Sequence, residues 1–265
     1  MNTRNLQFVL FAASIAAALP VRDAAAGEKK NVLVFSLTKG FRHSSIDAAK
    51  PVLKELAEQA GYNCVVSDDP AMFDPDKVKQ WNCIIFNNAS ENVFPEPERR
   101  KALMDQIKAG AGFMAIHGGI YCFLDWPEFG QMLNGRFVSH PWTQRVKVNI
   151  EDPNHPLMKP FGGPKWEVDE EVYQFKDYKR SDVRVLMSID TTSIDLTKGE
   201  RKDGDYAMCW IRNWEKGRVF YTAHGHNDGL FKRQDFQQHL KLAMQWACGD
   251  LNVDTTPSKE LGNER

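Results

Sequence analysis

The segment Gly112-Phe113-Met114-Ala115-Ile116 is wholly apolar and runs directly into His117-Gly118-Gly119. An unbroken apolar run suits a strand buried on both faces, as in a parallel sheet. The glycines then permit a tight strand-turn-helix junction, which lifts one side chain above the sheet edge. Such an elbow commonly carries Ser or Cys; here it carries an imidazole. Far downstream a second strand, Arg218 to Ala223, delivers His224-Gly225-His226. Two strand ends presenting histidines predict a site, and the missing Ser or Cys limits its chemistry.

The flanking pattern sets the fold class. Asn31 to Leu37 reads as a buried strand, followed by a polar loop with Lys39-Gly40-Phe41-Arg42-His43. Ser44 or Ser45 is placed to cap a helix that buries Ile46, Ala49, Leu53, Leu56 and Ala60 and stops at Gly61, with Pro51 inside it. Tyr62 to Ser67 is a second strand, Asp74-Pro75 opens a short helix, Cys83 to Phe86 is a third strand, and Pro95 to Ala109 a helix. Strands alternating with helices predict an α/β, doubly wound, mostly parallel sheet. Ligands of such sheets bind beyond the carboxyl ends of the strands, where His43, Asn87-Asn88 and His117 fall. The second half lacks intervening helices. Strands over 145–150, 166–175, 183–189, 206–210 and 218–223 are expected as antiparallel additions, before an amphipathic helix over about 233–247.

The ends read differently. Arg4, an apolar run from Leu6 to Leu19 and Ala24-Ala25-Ala26 predict a signal peptide over 1–26, with export to the periplasm or medium. A single domain over 27–250 follows, then a loose polar tail over 251–265. A net charge of −1 argues against nucleic acid as a partner. No second long apolar run follows, so no membrane partner is expected after cleavage. The five cysteines form no CxxC pair and are expected as buried free thiols.

Of the seven histidines, His43, His117, His140, His155, His224 and His226 lie in loops or beside Gly, Pro or Ser. His239 sits on the last helix and reads as structural, and His155 as fixing a loop. Neutral imidazole offers a lone pair to a metal and titrates near neutrality. His224 and His226 share a face if the strand continues, and diverge if the chain turns at Gly225. In Asp169-Glu170-Glu171, alternation sets Glu170 on one face and its two neighbours on the other.

These motifs resemble the ThuA-like (trehalose utilisation) family of the class I glutamine amidotransferase-like superfamily. The resemblance rests on Gly40-Phe41-Arg42-His43, Ala115 to Gly119, Gly135 to Pro141, Asp169 to Tyr173 and Gly217 to His226, spanning roughly Asn31 to Gly249. It implies a flavodoxin-like sheet. By position, His117 stands where amidotransferases hold a Cys, and His224 and His226 where they hold a His-x-Glu pair. Imidazole cannot replace a thiolate, so glutaminase activity is not expected.

With the export signal, the resemblance implies an exported enzyme cleaving a disaccharide or glycoside, with a 3-keto sugar as the expected form, by histidine- or metal-assisted elimination or hydrolysis. His117, His224, His43 and Glu170 are the candidate catalytic residues. Phe41, Arg42, Tyr121, Trp142 and Asn227 are candidate contacts to a small carbohydrate, and Trp126 is a further aromatic. His117, His224, His226 and His140 are candidate ligands for a divalent metal, zinc or manganese, without a nucleotide cofactor. Homo-oligomers are compatible with this reading. The rivals are a sugar-binding module without turnover and an interaction protein on a retired amidotransferase fold.

Overall fold

A computed structural model of the chain describes residue 1 and residues 28–259. Apart from Met1, the expected signal peptide lies outside the described residues. Nine strands form one sheet: β1 Asn31–Phe35, β2 Asn63–Ser67, β3 Cys83–Asn87, β4 Gly112–Ile116, β5 Arg136–Ile150, β6 Lys165–Lys176, β7 Arg184–Ile189, β8 Ala207–Trp214 and β9 Gly217–Thr222, in the order β2-β1-β3-β4-β9-β8-β7-β5-β6. The first five in that order pair in parallel, and the remaining four are joined by antiparallel pairs. The sheet is therefore evenly mixed, not mostly parallel. The reason lies in the second half, where strands follow one another without the helix that a parallel crossover needs.

Four helices accompany the sheet: α1 Ser45–Gln59, α2 Pro97–Lys108, α3 Pro127–Leu133 and α4 Gln234–Ala247. α1 packs against α4. Phe129 of α3 instead joins Phe86 and Phe113, extending an aromatic cluster that includes Phe35, Phe73, Phe94 and Phe123. All residues of β3 and β4 are buried, which accounts for the apolar runs Cys83 to Phe86 and Gly112 to Ile116.

Some local expectations change. Ser44 stands at the N-cap of α1 but makes no cap bond; its hydroxyl donates to Asp228 at 2.7 Å, and that of Ser45 donates to the Gly225 carbonyl at 2.8 Å. Both serines thus tie down the loop after β9. The turn near Asp74 begins earlier, as a 3-10 turn over Pro70–Phe73 capped by Asp69. The tail is not loose over its described part: Ser258 N–H donates to the Val183 carbonyl at 2.8 Å, and Arg180 Nε to the Lys259 carbonyl at 3.0 Å. All five cysteines are free thiols, four of them buried. Among the described residues, no helix is long and apolar enough to cross a membrane.

His239 is fully buried, with Nδ1 donating to the Leu157 carbonyl at 2.9 Å. Burial holds its imidazole down at about 4, whereas an unfolded chain binds the proton near about 6.5. Only the unfolded state gains a proton between those values. The contribution of His239 is therefore complete above about pH 6.5 and is lost as pH falls toward about 4, by roughly 3 kcal/mol. His239→Gln should show a shallower decline across this window in urea midpoints. An unchanged slope would exclude His239 as a source of it.

Candidate active site

The parallel strands finish in register. Phe35 lies beside Phe86, Asn87 beside Ile116, and Ile116 beside Thr222. The residues that follow each strand therefore gather at one edge: His43 after β1, Asn88 after β3, His117 after β4 and His226 after β9. This is the carboxyl edge expected of the elbow.

The elbow is strained and well supported. His117 takes φ 49°, a left-handed conformation that costs a non-glycine residue about 1–3 kcal/mol. Gly119 is required because a Cβ there would lie 2.7 Å from the Phe86 carbonyl oxygen. Asn88 bridges the two strand ends: its Oδ1 accepts from Gly118 N–H at 3.1 Å, and its Nδ2 donates to the Gly225 carbonyl at 3.2 Å.

The other wall comes from the β5–β6 ribbon. β5 meets β7 only over Val148–Ile150, so most of the ribbon is free of the sheet on that side. Its register shifts twice, between Phe137 and Ser139 and between Ser139 and Trp142. Bulges of this kind bend a ribbon and re-aim its side chains. Phe137, His140, Glu171 and Tyr173 consequently face the strand ends, lining a cavity of about 380 Å³ with Phe41, His43, Ser90, Gly118, Tyr121 and His226. Larger surface depressions of about 900 and 540 Å³ lie elsewhere, and neither is lined by a histidine.

At the base of the cavity, one ligand atom each from His43, His117, Glu171 and His226 lies within 4.8 Å of all the others. His117 Nδ1 is 2.6 Å from the Ala223 carbonyl, which can only accept, so the ring proton sits on Nδ1. The lone pair on Nε2 then faces the cluster, 2.9 Å from the Tyr173 hydroxyl and 3.3 Å from Glu171 Oε2. Two lone pairs meet in that second contact. It is attractive only with an added proton or a cation between them, and Oε2 has no hydrogen-bond partner despite its closeness. His43 Nδ1 and His226 Nδ1 are likewise buried without a hydrogen-bond partner. Buried polar atoms are rarely left so, and here three of them belong to residues of the same four-residue group.

Electrostatics favour the same state. Burial, then the neighbouring His117 and His226, holds His43 at about 4, and burial also lowers His226. Both rings are neutral near pH 7 and keep their lone pairs. For Glu171, burial pushes upward but is outweighed by the surrounding imidazoles of His117, His226 and His140, so its carboxyl falls below the usual range.

Several expected residues land elsewhere. The chain turns at Gly225, φ 135°, so His224 and His226 diverge. His224 is fully buried against Trp166, 5.2 Å between ring centroids, outside the cavity. Burial takes its imidazole down to about 3. Glu170 faces away from Glu171: its oxygens accept the N–H groups of Gly225 at 3.2 Å and His226 at 3.1 Å. Burial lifts its carboxyl to about 7, against the neighbouring His117 and those N–H donors. It holds the loop instead of reaching the cavity. Arg42 pairs with Asp47 at the surface, and Asn227 donates to the Asp169 carbonyl. Trp126 stacks on Phe129 outside the cavity. His140 lines the cavity, 3.5 Å from Glu171 Oε1, yet falls outside the four-residue group.

Trp142 is core, not a sugar contact: it is 1 % exposed, packs on Tyr206 and donates to the Asp195 carbonyl. Trp142→Ala should cost about 3–5 kcal/mol of stability, read as a lower denaturation midpoint. A fully stable variant would contradict its place in the core.

Glu171, Tyr173, Phe137 and Ser90 line the cavity but are not among the candidate site residues of the sequence reading. The signal for the first two was present, since strand alternation puts residues 169, 171 and 173 on one face.

The comparisons with known proteins agree with this architecture. A thua-like protein from Bacteroides uniformis is 24 % identical, with a TM-score of 0.70 over 85 % of this chain and 94 % of that one. A thua-like protein from Parabacteroides merdae is 16 % identical, TM-score 0.67, over 89 % and 94 %. A cytoplasmic protein from Salmonella typhimurium is 12 % identical, TM-score 0.58, over 82 % and 99 %. At such identities the likeness is one of fold. No curated protein matches the sequence. The description "ThuA: Trehalose utilisation" matches residues 31–247, from the first strand to the end of the last helix, and the chain belongs to that family.

Proposed function

We propose that this protein is an exported, metal-assisted enzyme that cleaves a neutral disaccharide or glycoside, with a 3-keto sugar as the favoured substrate class. The observation that carries the reading is the convergence of His43, His117, Glu171 and His226 on one point beneath an open cavity. Three imidazoles and one carboxylate suit a first-row divalent ion such as zinc or manganese. Ligand atoms around tetrahedral zinc sit roughly 3.3 Å apart at bond lengths of about 2.0–2.1 Å. Glu171 Oε2 approaches that spacing from His117 at 3.3 Å, and Glu171 Oε1 approaches it from His226 at 3.4 Å. The parallel strand order β2-β1-β3-β4-β9 supports the doubly wound, flavodoxin-like reading of the first half. Arg4 and the apolar run after it support export.

A bound divalent ion would polarise a substrate carbonyl. The protein's own groups supply the rest. Phe41, Tyr121 and Phe137 offer ring faces to a sugar, and no lysine or arginine lines the cavity to recruit an anion. A carbonyl at C3 acidifies the neighbouring C2–H. His140, beside the cluster but outside it, is placed to take that proton. The C2 electron pair forms a double bond to C1, the C1–O bond breaks, and the leaving oxygen takes up a proton. Addition of water at C1 completes a net hydrolysis. The aromatic wall alone favours the rival reading, a sugar-binding module without turnover.

Elemental analysis of the purified mature protein, with a mass-spectrometric screen of keto-disaccharides and keto-glycosides, tests the proposal. A retained divalent metal and a cleaved glycosidic bond are expected. Sugar binding with neither metal nor cleavage would replace the enzyme by the binding module.

A further inference from the structure

The lone pair that a metal would need on His117 already has a partner. Tyr173 Oη lies 2.9 Å from Nε2. In the neutral ring the single proton is committed to the Ala223 carbonyl, and the tyrosine is then the donor. The tyrosine ring is fixed: it is 4 % exposed, lies against His117 at 4.5 Å, and is walled by Phe137 at 4.6 Å and Phe175 at 6.2 Å. Its hydroxyl hydrogen, in contrast, turns freely about the C–O bond. Tyr173 also lines the cavity where a ligand would sit.

We infer that Tyr173 is a positioning residue that holds the His117 lone pair while the four-residue cluster is free and yields it to a divalent metal. The inference rests on the metal reading above. A cation engaging Nε2 displaces the O–H···N bond, and the hydroxyl turns its hydrogen toward the cavity. There it becomes a donor to an oxygen of the bound ligand. One hydroxyl thereby orients the imidazole before loading and the ligand after it. It also sets a threshold on metal affinity, because loading must replace a buried hydrogen bond.

Tyr173→Phe removes the hydroxyl and keeps the ring. Zinc titrated into metal-free wild type and variant by calorimetry should bind the variant tighter, by roughly two- to ten-fold, the equivalent of one net hydrogen bond. In the metal-free proteins, the 15N resonance of His117 Nε2 should move in the variant, reporting loss of a donor. A thermal melt of each confirms that both are folded. Equal or weaker zinc binding by the variant, or an unmoved Nε2 resonance, would overturn the inference while leaving the metal reading standing. Failure of the wild type itself to bind zinc or manganese would overturn both. A merely structural tyrosine would not tighten metal binding when its hydroxyl is lost.

Discussion

Glu171→Ala is expected to abolish metal binding and turnover while changing stability by no more than about 1 kcal/mol. Glu171 is 6 % exposed, and its oxygens face imidazole nitrogens of His117, His226 and His140 at 3.3 to 3.5 Å. Oε2 accepts no hydrogen bond. A buried carboxylate whose lost hydration is offset only by neighbouring imidazoles contributes little net stability to the fold. Its removal opens space onto a cavity that water already reaches. For a divalent ion the same carboxylate is the sole anionic ligand of the group. Even second-sphere changes around metals cost about 10- to 100-fold in affinity, so loss of this ligand should cost at least about 100-fold. Zinc calorimetry and a thermal melt on one preparation measure both effects. Retention of zinc within a few-fold of wild type would remove Glu171 from the site.

How far such a site can be read in advance depends on which physical signal encodes each part. β1, β3 and β4 were legible because burial on both faces demands unbroken apolar runs. The His117 elbow was legible because few other contexts need an apolar run followed by two glycines. β5 was read as starting at Arg145, although it starts at Arg136. Ser139, His140 and Pro141 interrupt its pattern, and the two register shifts that accommodate them erase simple alternation. The side chains after β9 depended on one backbone angle at Gly225, which sequence leaves open. The choice between Glu170 and Glu171 was one of parity: a one-residue slip exchanges the two faces of a strand. Only the contact of β6 with the elbow and with the 225–227 loop decides it.

That parity has a measurable counterpart. Glu170→Ala should destabilise the protein by about 2–5 kcal/mol, the cost of leaving two buried backbone N–H groups without an acceptor. Glu170 is 1 % exposed and receives the N–H groups of Gly225 and His226, the turn that sends His224 inward and His226 into the cavity. Ser45 and Asn88 hold the Gly225 carbonyl from the other side, so the loop keeps part of its anchorage. Glu170→Gln should fall between alanine and wild type, because the amide retains one acceptor oxygen and turns a donor toward the second N–H. Metal affinity should weaken in both variants, through misplacement of His226 and not through loss of a ligand atom. Urea midpoints and zinc calorimetry then separate the adjacent glutamates: position 171 governs binding with little effect on folding, and position 170 governs folding first and binding through it. A Glu170→Ala protein as stable as wild type would show that the loop does not depend on this carboxylate, and the division of labour between the two faces of β6 would fail.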